Sequence, residues 1–155
     1  MQSKFDEDVP VSDLTRRIMS RVSSRNTSPE MAVRRALHRA GLRFRLHEAN
    51  MPGRPDIVLP RWKTVIFVHG CFWHRHADCR YASIPKTRTA LWLEKFERNV
   101  ARDAVNRRKA EEMGWRVLEV WECDVKKDRF KEPLLAHFQS VSCPNRHRRV
   151  SAPSR

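Results

Sequence analysis

The sequence predicts a mixed α/β fold, and three observations carry that expectation. Short apolar, β-branched runs occur at 57–59, 65–68 and 115–121; segments with helical spacing lie at 28–40 and 89–113; and 155 residues suffice for one core. A chain of this length buries roughly 70% of the surface its unfolded form exposes. One domain is therefore expected over 12–141, between an acidic, mobile leader at 1–11 and a basic tail at 142–155 read as disordered.

A first helix is expected near Ser12 or Asp13, with Leu14, Ile18, Met19 and Val22 at helical spacing and Arg16, Arg17 and Arg21 on the other side. The next helix has Ser28 as cap, Pro29 at the first helical position, Glu30 at the positive end of the helix dipole and Gly41 as stop. Residues 42–46 alternate apolar and basic, which reads as a half-buried strand. Asp56 opens the strand 57–59, and 60–64 is the turn into the strand 65–68. A hairpin centred on Trp62 would set Ile57 opposite Phe67 and bring Asp56 opposite Val68 and His69. A long amphipathic helix follows over about 89–113, with Trp92 or Leu93, Phe96, Val100 and Ala104 on its inner face and Gly114 as its stop. The strand 115–121 is closed by Glu122 and Cys123, and a terminal helix is expected around 126–139.

Charge narrows the function. The 32 Lys and Arg against 18 Asp and Glu leave a net charge of +14, and the basic residues cluster at 16–25, 34–45, 86–88 and 98–109. A polyanion is the natural partner of such a surface. No apolar run approaches the roughly 20 residues of a membrane span, and the N-terminus lacks a signal-peptide core, so a cytoplasmic location is expected.

The chemistry concentrates at 65–79, V-I-F-V-H-G-C-F-W-H-R-H-A-D-C. Cys71, His76 and Cys79 lie within nine residues, and Cys123 ends a strand that could lie beside 65–68, so four N/S ligands could close around a structural zinc ion. His74 could replace His76 in that set; spacing leaves both open. Cys143, in the tail, looks like a bystander. Glu30, Asp56, His69, His74 and Asp103 form a second group of acids and imidazoles at one end of the sheet. Carboxylates suit Mg²⁺ and its waters, a histidine can deprotonate water, and phosphodiester hydrolysis is the reaction these parts fit. Phe72 and Trp73 on the loop, with Trp92 beyond the basic segment of Lys86 and Arg88, suit a wedge that unstacks bases.

These residues also fall into an ordered motif set: Pro52-Gly-Arg-Pro-Asp56, His69-Gly-Cys-Phe-Trp-His74, Lys86-Thr-Arg-Thr, Trp92, Asn99, Asp103, Gly114-Trp115-Arg-Val and Trp121-Glu-Cys123. Over about 14–123 the chain closely resembles the very-short-patch repair (Vsr) DNA mismatch endonucleases. The resemblance implies a restriction-endonuclease-like core, a mixed sheet flanked by helices, and a Mg²⁺-dependent nick 5′ to the T of a T:G mismatch. It implies that Asp56 and the Val68 carbonyl hold Mg²⁺, that His74 works with Asp103 on the attacking water, and that Glu30 and His69 hold metal-bound waters. Zinc then falls on Cys71, His76, Cys79 and Cys123, the base-unstacking wedge on Phe72, Trp73 and Trp92, and a minor-groove contact on Met19. The implied partners are mismatched double-stranded DNA, a MutL-like repair protein and a DNA polymerase, met by a monomer. The acidic-x-Lys element of restriction nucleases is missing: Phe67-Val68-His69 occupies that strand, so histidine chemistry stands in for lysine. Two rivals remain: a nuclease for other modified or foreign DNA, and a zinc-braced DNA-binding module without catalysis.

Overall fold

The computed structural model describes residues 25–140, so the expected leader, the helix carrying Met19 and the tail with Cys143 lie outside the described residues. A helix, α1 (Ser28–Arg39), leads into the strands β1 (Arg45–Leu46), β2 (Ile57–Leu59) and β3 (Thr64–His69). The long helix α2 (Thr89–Glu112) then crosses to β4 (Arg116–Trp121), followed by α3 (Glu122–Lys126) and α4 (Lys131–Ser140). The sheet runs in the order β1-β2-β3-β4, antiparallel except for the parallel β3–β4 pair. That parallel pairing needs a crossover, which α2 supplies.

Strand alternation divides the core between the two faces of the sheet. Ile57, Leu59, Ile66 and Val120 pack with Val33 and Leu37 of α1 and Leu134 and Phe138 of α4. Val58, Val65 and Val117 point the other way, against Met51 and Ala110 of α2. The period of two is that of a pleated strand buried on both sides. The result is the expected mixed α/β architecture with helices on both faces of a mixed sheet.

Several local expectations give way to the geometry. The cap of α1 is Thr27, one residue before Ser28. The strand expected at 42–46 shrinks to Arg45–Leu46, because only those two residues pair with β2, while Leu42 and Phe44 pack on the core from irregular chain. The hairpin register differs by one: Ile57 pairs with Ile66, not Phe67. The connection is a 3-10 turn, Pro60–Trp62, closed by Lys63 in the left-handed region at φ 49°, which leaves four residues in the loop and moves the hairpin centre off Trp62. The terminal helix expected around 126–139 starts only at Lys131, after a break with Asp128 at φ 54°, and Glu122 and Cys123 begin the short α3 instead of closing the strand.

The inner face of α2 is also rotated from the expected one. Val100 is 45% exposed and Leu93 39%, whereas Phe96 and Ala110 are buried and Asn99, Asp103 and Asn106 between them are half-buried. Polar residues occupy the middle of the inward stripe because that part of the helix walls a cavity and does not cap the core. Gly53, at φ +71°, lets the 51–55 loop reach that wall: a Cβ there would lie 2.8 Å from Asn106. Among the described residues no helix is long and apolar enough to cross a membrane.

Candidate active site and metal cluster

Parallel pairing creates the thiol cluster. His69 sits opposite Trp121 at the ends of β3 and β4, and two residues beyond each lie Cys71 and Cys123, both buried. The loop after β3 folds back on itself through His74 N–H to the Gly70 carbonyl (3.1 Å) and His76 N–H to the Cys71 carbonyl (3.2 Å). His76 Nδ1 thereby comes 3.7 Å from Cys71 Sγ and 3.3 Å from Cys123 Sγ. The donor atoms of Cys71, His76, Cys79 and Cys123 all lie within 4.8 Å of one another, a set that could hold a metal ion. Burial pushes the Cys71 thiol up to about 12, so without a cation this pocket would keep it protonated. His76 also stacks on Trp121 at 4.2 Å and 6° between planes. Of the two histidines, His76 lies with the thiols and His74 does not.

His74 belongs to the other site. Arg75, at φ 54°, turns the chain between the two imidazoles, and His74 Nδ1 meets Asp103 Oδ2 of α2 at 2.5 Å. Burial acts against the Asp103 carboxylate, yet the His74 hydrogen bond and charge hold it below the usual range. His69 lies 4.1 Å from His74 between ring centroids, and burial followed by the charge of His74 lowers it to about 4. His69, His74 and Asp103 could themselves hold a metal ion.

Across the same cavity, of about 940 Å³, stand the other acids. Asp56 Oδ2 accepts the Val68 N–H at 2.7 Å, so the end of β2 is tied to β3 by a side chain one residue beyond the strand ladder. Burial raises the Asp56 carboxyl above its ordinary value, and the Glu30 charge adds to the shift. Glu30 is buried at the start of α1. Its Oε1 accepts the Thr27 hydroxyl (2.9 Å), and its Oε2 accepts the Asn26 N–H (3.0 Å) and Arg34 Nη2 (2.9 Å). Glu30 therefore ties the Asn26–Thr27 turn to the start of its own helix. The structure brings all five proposed acids and imidazoles to one cavity in two halves, Asp56 with Glu30 and His69 with His74 and Asp103. Lys95, Arg102 and Arg107 supply positive charge along the α2 wall.

The aromatic residues form one cluster at the mouth. Phe72 packs edge-on to Trp73, Trp92 and buried Phe96 at 5.1–5.6 Å, and Lys95 lies over both indoles. Asn99 holds the loop by donating to the Trp73 carbonyl at 3.2 Å. Lys86 is exposed, and Arg88, half-buried at φ 50°, immediately precedes α2.

Sequence reasoning missed Arg107 and Glu119 of the cavity wall and Arg34 and His47 beside its acids. Arg34 is nearly buried and binds Glu30, four residues earlier on α1, a spacing that was its available signal. His47 lies 3.2 Å from Arg34 Nη2, 3.9 Å from Glu30 Oε2 and 4.0 Å from Asp56 Oδ1, with nothing in its local sequence to announce it. Arg107 and Glu119 pair at 2.9 Å beside His69.

Comparison with known proteins is consistent with this geometry. Residues 8–81 match the family model described as DNA mismatch endonuclease Vsr. The chain is 50% identical over 110 residues to the type II nicking enzyme V.XorIIP of Xanthomonas oryzae pv. oryzae, covering 71% of this chain and 80% of that protein. It is 44% identical over 109 residues to the type II nicking enzyme V.NmeAIP of Neisseria meningitidis, covering 70% and 77%. It is also 47% identical over 105 residues to DNA mismatch endonuclease Vsr of Escherichia coli K12, covering 68% and 67%.

Proposed function

We propose, from the premise that the chain belongs to the Vsr family of DNA mismatch endonucleases, that it is a Mg²⁺-dependent enzyme nicking one strand 5′ to the T of a T:G mismatch, the lesion left by deamination of 5-methylcytosine. The observation that carries this reading is the His74–Asp103 pair, placed in the same cavity as the buried carboxylates of Asp56 and Glu30.

The donor set suits a hard cation. Asp56 is buried near a second carboxylate and is raised for that reason; a divalent ion would relieve both the burial and the repulsion. Asp56 and the Val68 carbonyl would hold it, with Glu30 and His69 on its waters. Bound Mg²⁺ supplies charge stabilisation at the scissile phosphate and acidifies coordinated water. Asp103 accepts from His74 Nδ1, which leaves Nε2 to take a proton from the attacking water. Lys95, Arg102 and Arg107 line the path a phosphate backbone would follow.

Zinc is the reading for the thiol cluster. A tetrahedral ion with Zn–S and Zn–N bonds of ordinary length sets its N and S ligands roughly 3.6 Å apart; the His76 separations of 3.3 and 3.7 Å fit. Zinc there is structural, bracing the loop that carries Phe72 and Trp73. Those rings, with Trp92, form the base-unstacking wedge; Lys86 and Arg88 contact the backbone; Met19 enters the minor groove. The enzyme works as a monomer and hands its nick to a MutL-like protein and a polymerase.

The test is incubation of T:G-mismatched and fully paired duplexes with the protein and Mg²⁺. Nicking of the T strand in the mismatched duplex alone is expected. Equal cutting of paired DNA would move the target to other modified or foreign DNA, and mismatch binding without a nick would leave a zinc-braced binding module.

A further inference from the structure

We infer that His47 is a positioning residue for Asp56, its Nδ1 edge facing the carboxylate across 4.0 Å so that the oxygens of Asp56 are oriented for a divalent cation. This rests on the cation reading of the cavity given above.

The argument begins at Arg34. Its guanidinium is buried on α1, donating through Nη1 to Asn26 Oδ1 (2.7 Å) and through Nη2 to Glu30 Oε2 (2.9 Å). His47 Nε2 lies 3.2 Å from the same Nη2. A guanidinium can only donate, so His47 must accept at Nε2, and the neutral ring then carries its proton on Nδ1. That nitrogen is the one facing Asp56 Oδ1, at 4.0 Å. The other Asp56 oxygen is already fixed by the Val68 N–H at 2.7 Å. The Val68 N–H bonded to one oxygen and the Nδ1 edge of His47 facing the other, a polar contact longer than a hydrogen bond, together favour one orientation of the carboxylate, with its remaining lone pairs toward the cavity.

The backbone is set for this. His47 adopts φ 49° at the turn directly after β1, in the left-handed region that histidine, like asparagine and aspartate, enters more readily than other side chains. Its ring is 19% exposed, held between α1 and the end of β2. Groups behind a metal ligand that fix its orientation typically change metal affinity or activity about 10–100-fold when removed. His47 stands in that relation to Asp56, and Arg34 stands behind His47.

Two substitutions separate the roles of the two ring nitrogens. His47→Asn keeps an N–H group where Nδ1 was and tolerates positive φ; His47→Gln places its amide where Nε2 was and leaves no polar group facing Asp56 Oδ1. Mn²⁺ binding by the full chain, followed by electron paramagnetic resonance at constant zinc content, is the readout, with melting temperature as the check on folding. His47→Asn should bind Mn²⁺ within about threefold of the unaltered protein, and His47→Gln and His47→Ala about 10–100-fold more weakly. If His47→Ala does not fold, the Asn/Gln pair still decides. Equal binding by Asn and Gln variants would overturn the assignment, as would Mn²⁺ affinity lost in Asp56→Asn but unchanged across the His47 series. Mn²⁺ binding that survives Asp56→Asn would overturn the cation reading itself and this assignment with it.

Discussion

The thiol cluster and the acidic cavity share the loop at 70–79, and they are built in opposite ways. The cluster takes three of its four donors from nine consecutive residues and the fourth from the first turn of α3, all nitrogen or sulfur, with Cys71 and Cys123 buried. The cavity gathers Glu30 from α1, Asp56 from the residue before β2, His69 from β3, His74 from the loop and Asp103 from α2, with oxygen donors and an open volume of about 940 Å³. A closed N/S set has no position left for water and stabilises; an open set with carboxylates keeps positions for water and substrate. On the proposed reading adjacency has a purpose: a metal in the first site would stiffen the loop from which His74 enters the second.

The largest effect should separate these two directly. Asp56→Asn is expected to lower nicking by a factor on the order of a thousand or more, because charge stabilisation of several kcal/mol is lost with the cation. Melting temperature should hold, since an amide oxygen can still accept the Val68 N–H; single-turnover nicking beside a thermal melt checks both. Cys123→Ser should behave in the reverse order, losing zinc and about 3–5 kcal/mol of stability, as loss of a structural bridge does. Zinc content and a urea unfolding curve would show it, and full stability without zinc would break the contrast drawn here.

Smaller effects refine it. Trp73→Ala should weaken mismatch binding by ~1–3 kcal/mol if the indole stacks on a base; a calorimetric titration showing no loss would return Trp73 to packing against Phe72 and Trp92. The smallest effect lies outside both sites. His137 on α4 has its pKa lowered by burial, with Arg116 adding to the shift, and its Nε2 is buried without a partner. A lowered folded-state value means that stability is present above the ordinary 6.5 and is lost as pH falls through and below it, because the unfolded chain takes up the proton first. Urea midpoints between pH 7 and 5 should fall faster for the unaltered protein than for His137→Phe, by less than about 1 kcal/mol. The same slope in both would locate the acid sensitivity in the metal-site groups instead.

What could be read from sequence follows the same division. Cys71, Cys79 and Cys123 were legible because short spacing and one strand pairing suffice to bring them together. The choice of His76 over His74 was not, since it depends on Arg75 reversing the chain between them. In the cavity the named acids and imidazoles were found, but the surroundings that fix them were not. His47 reaches Asp56 through a turn whose positive φ no residue type at that position announces. The α2 stripe was misread for a related reason: apolar periodicity selects the face that packs on a core, while this helix turns Asn99, Asp103 and Asn106 inward to wall the cavity. A one-residue error in the hairpin came from the 3-10 turn at Pro60–Trp62, and it still left Asp56 bonded to Val68.

The central claim is that two neighbouring metal sites divide the work, a closed one that braces and an open one that cuts. Nicking of a T:G duplex by zinc-loaded protein, exchanged first into Mg²⁺-free buffer and then into buffer with Mg²⁺, tests it most directly. The account predicts about one zinc per chain throughout, no nick without Mg²⁺, and its return on addition. A nick sustained by the zinc-loaded protein without Mg²⁺, or zinc displaced as activity returns, would contradict it.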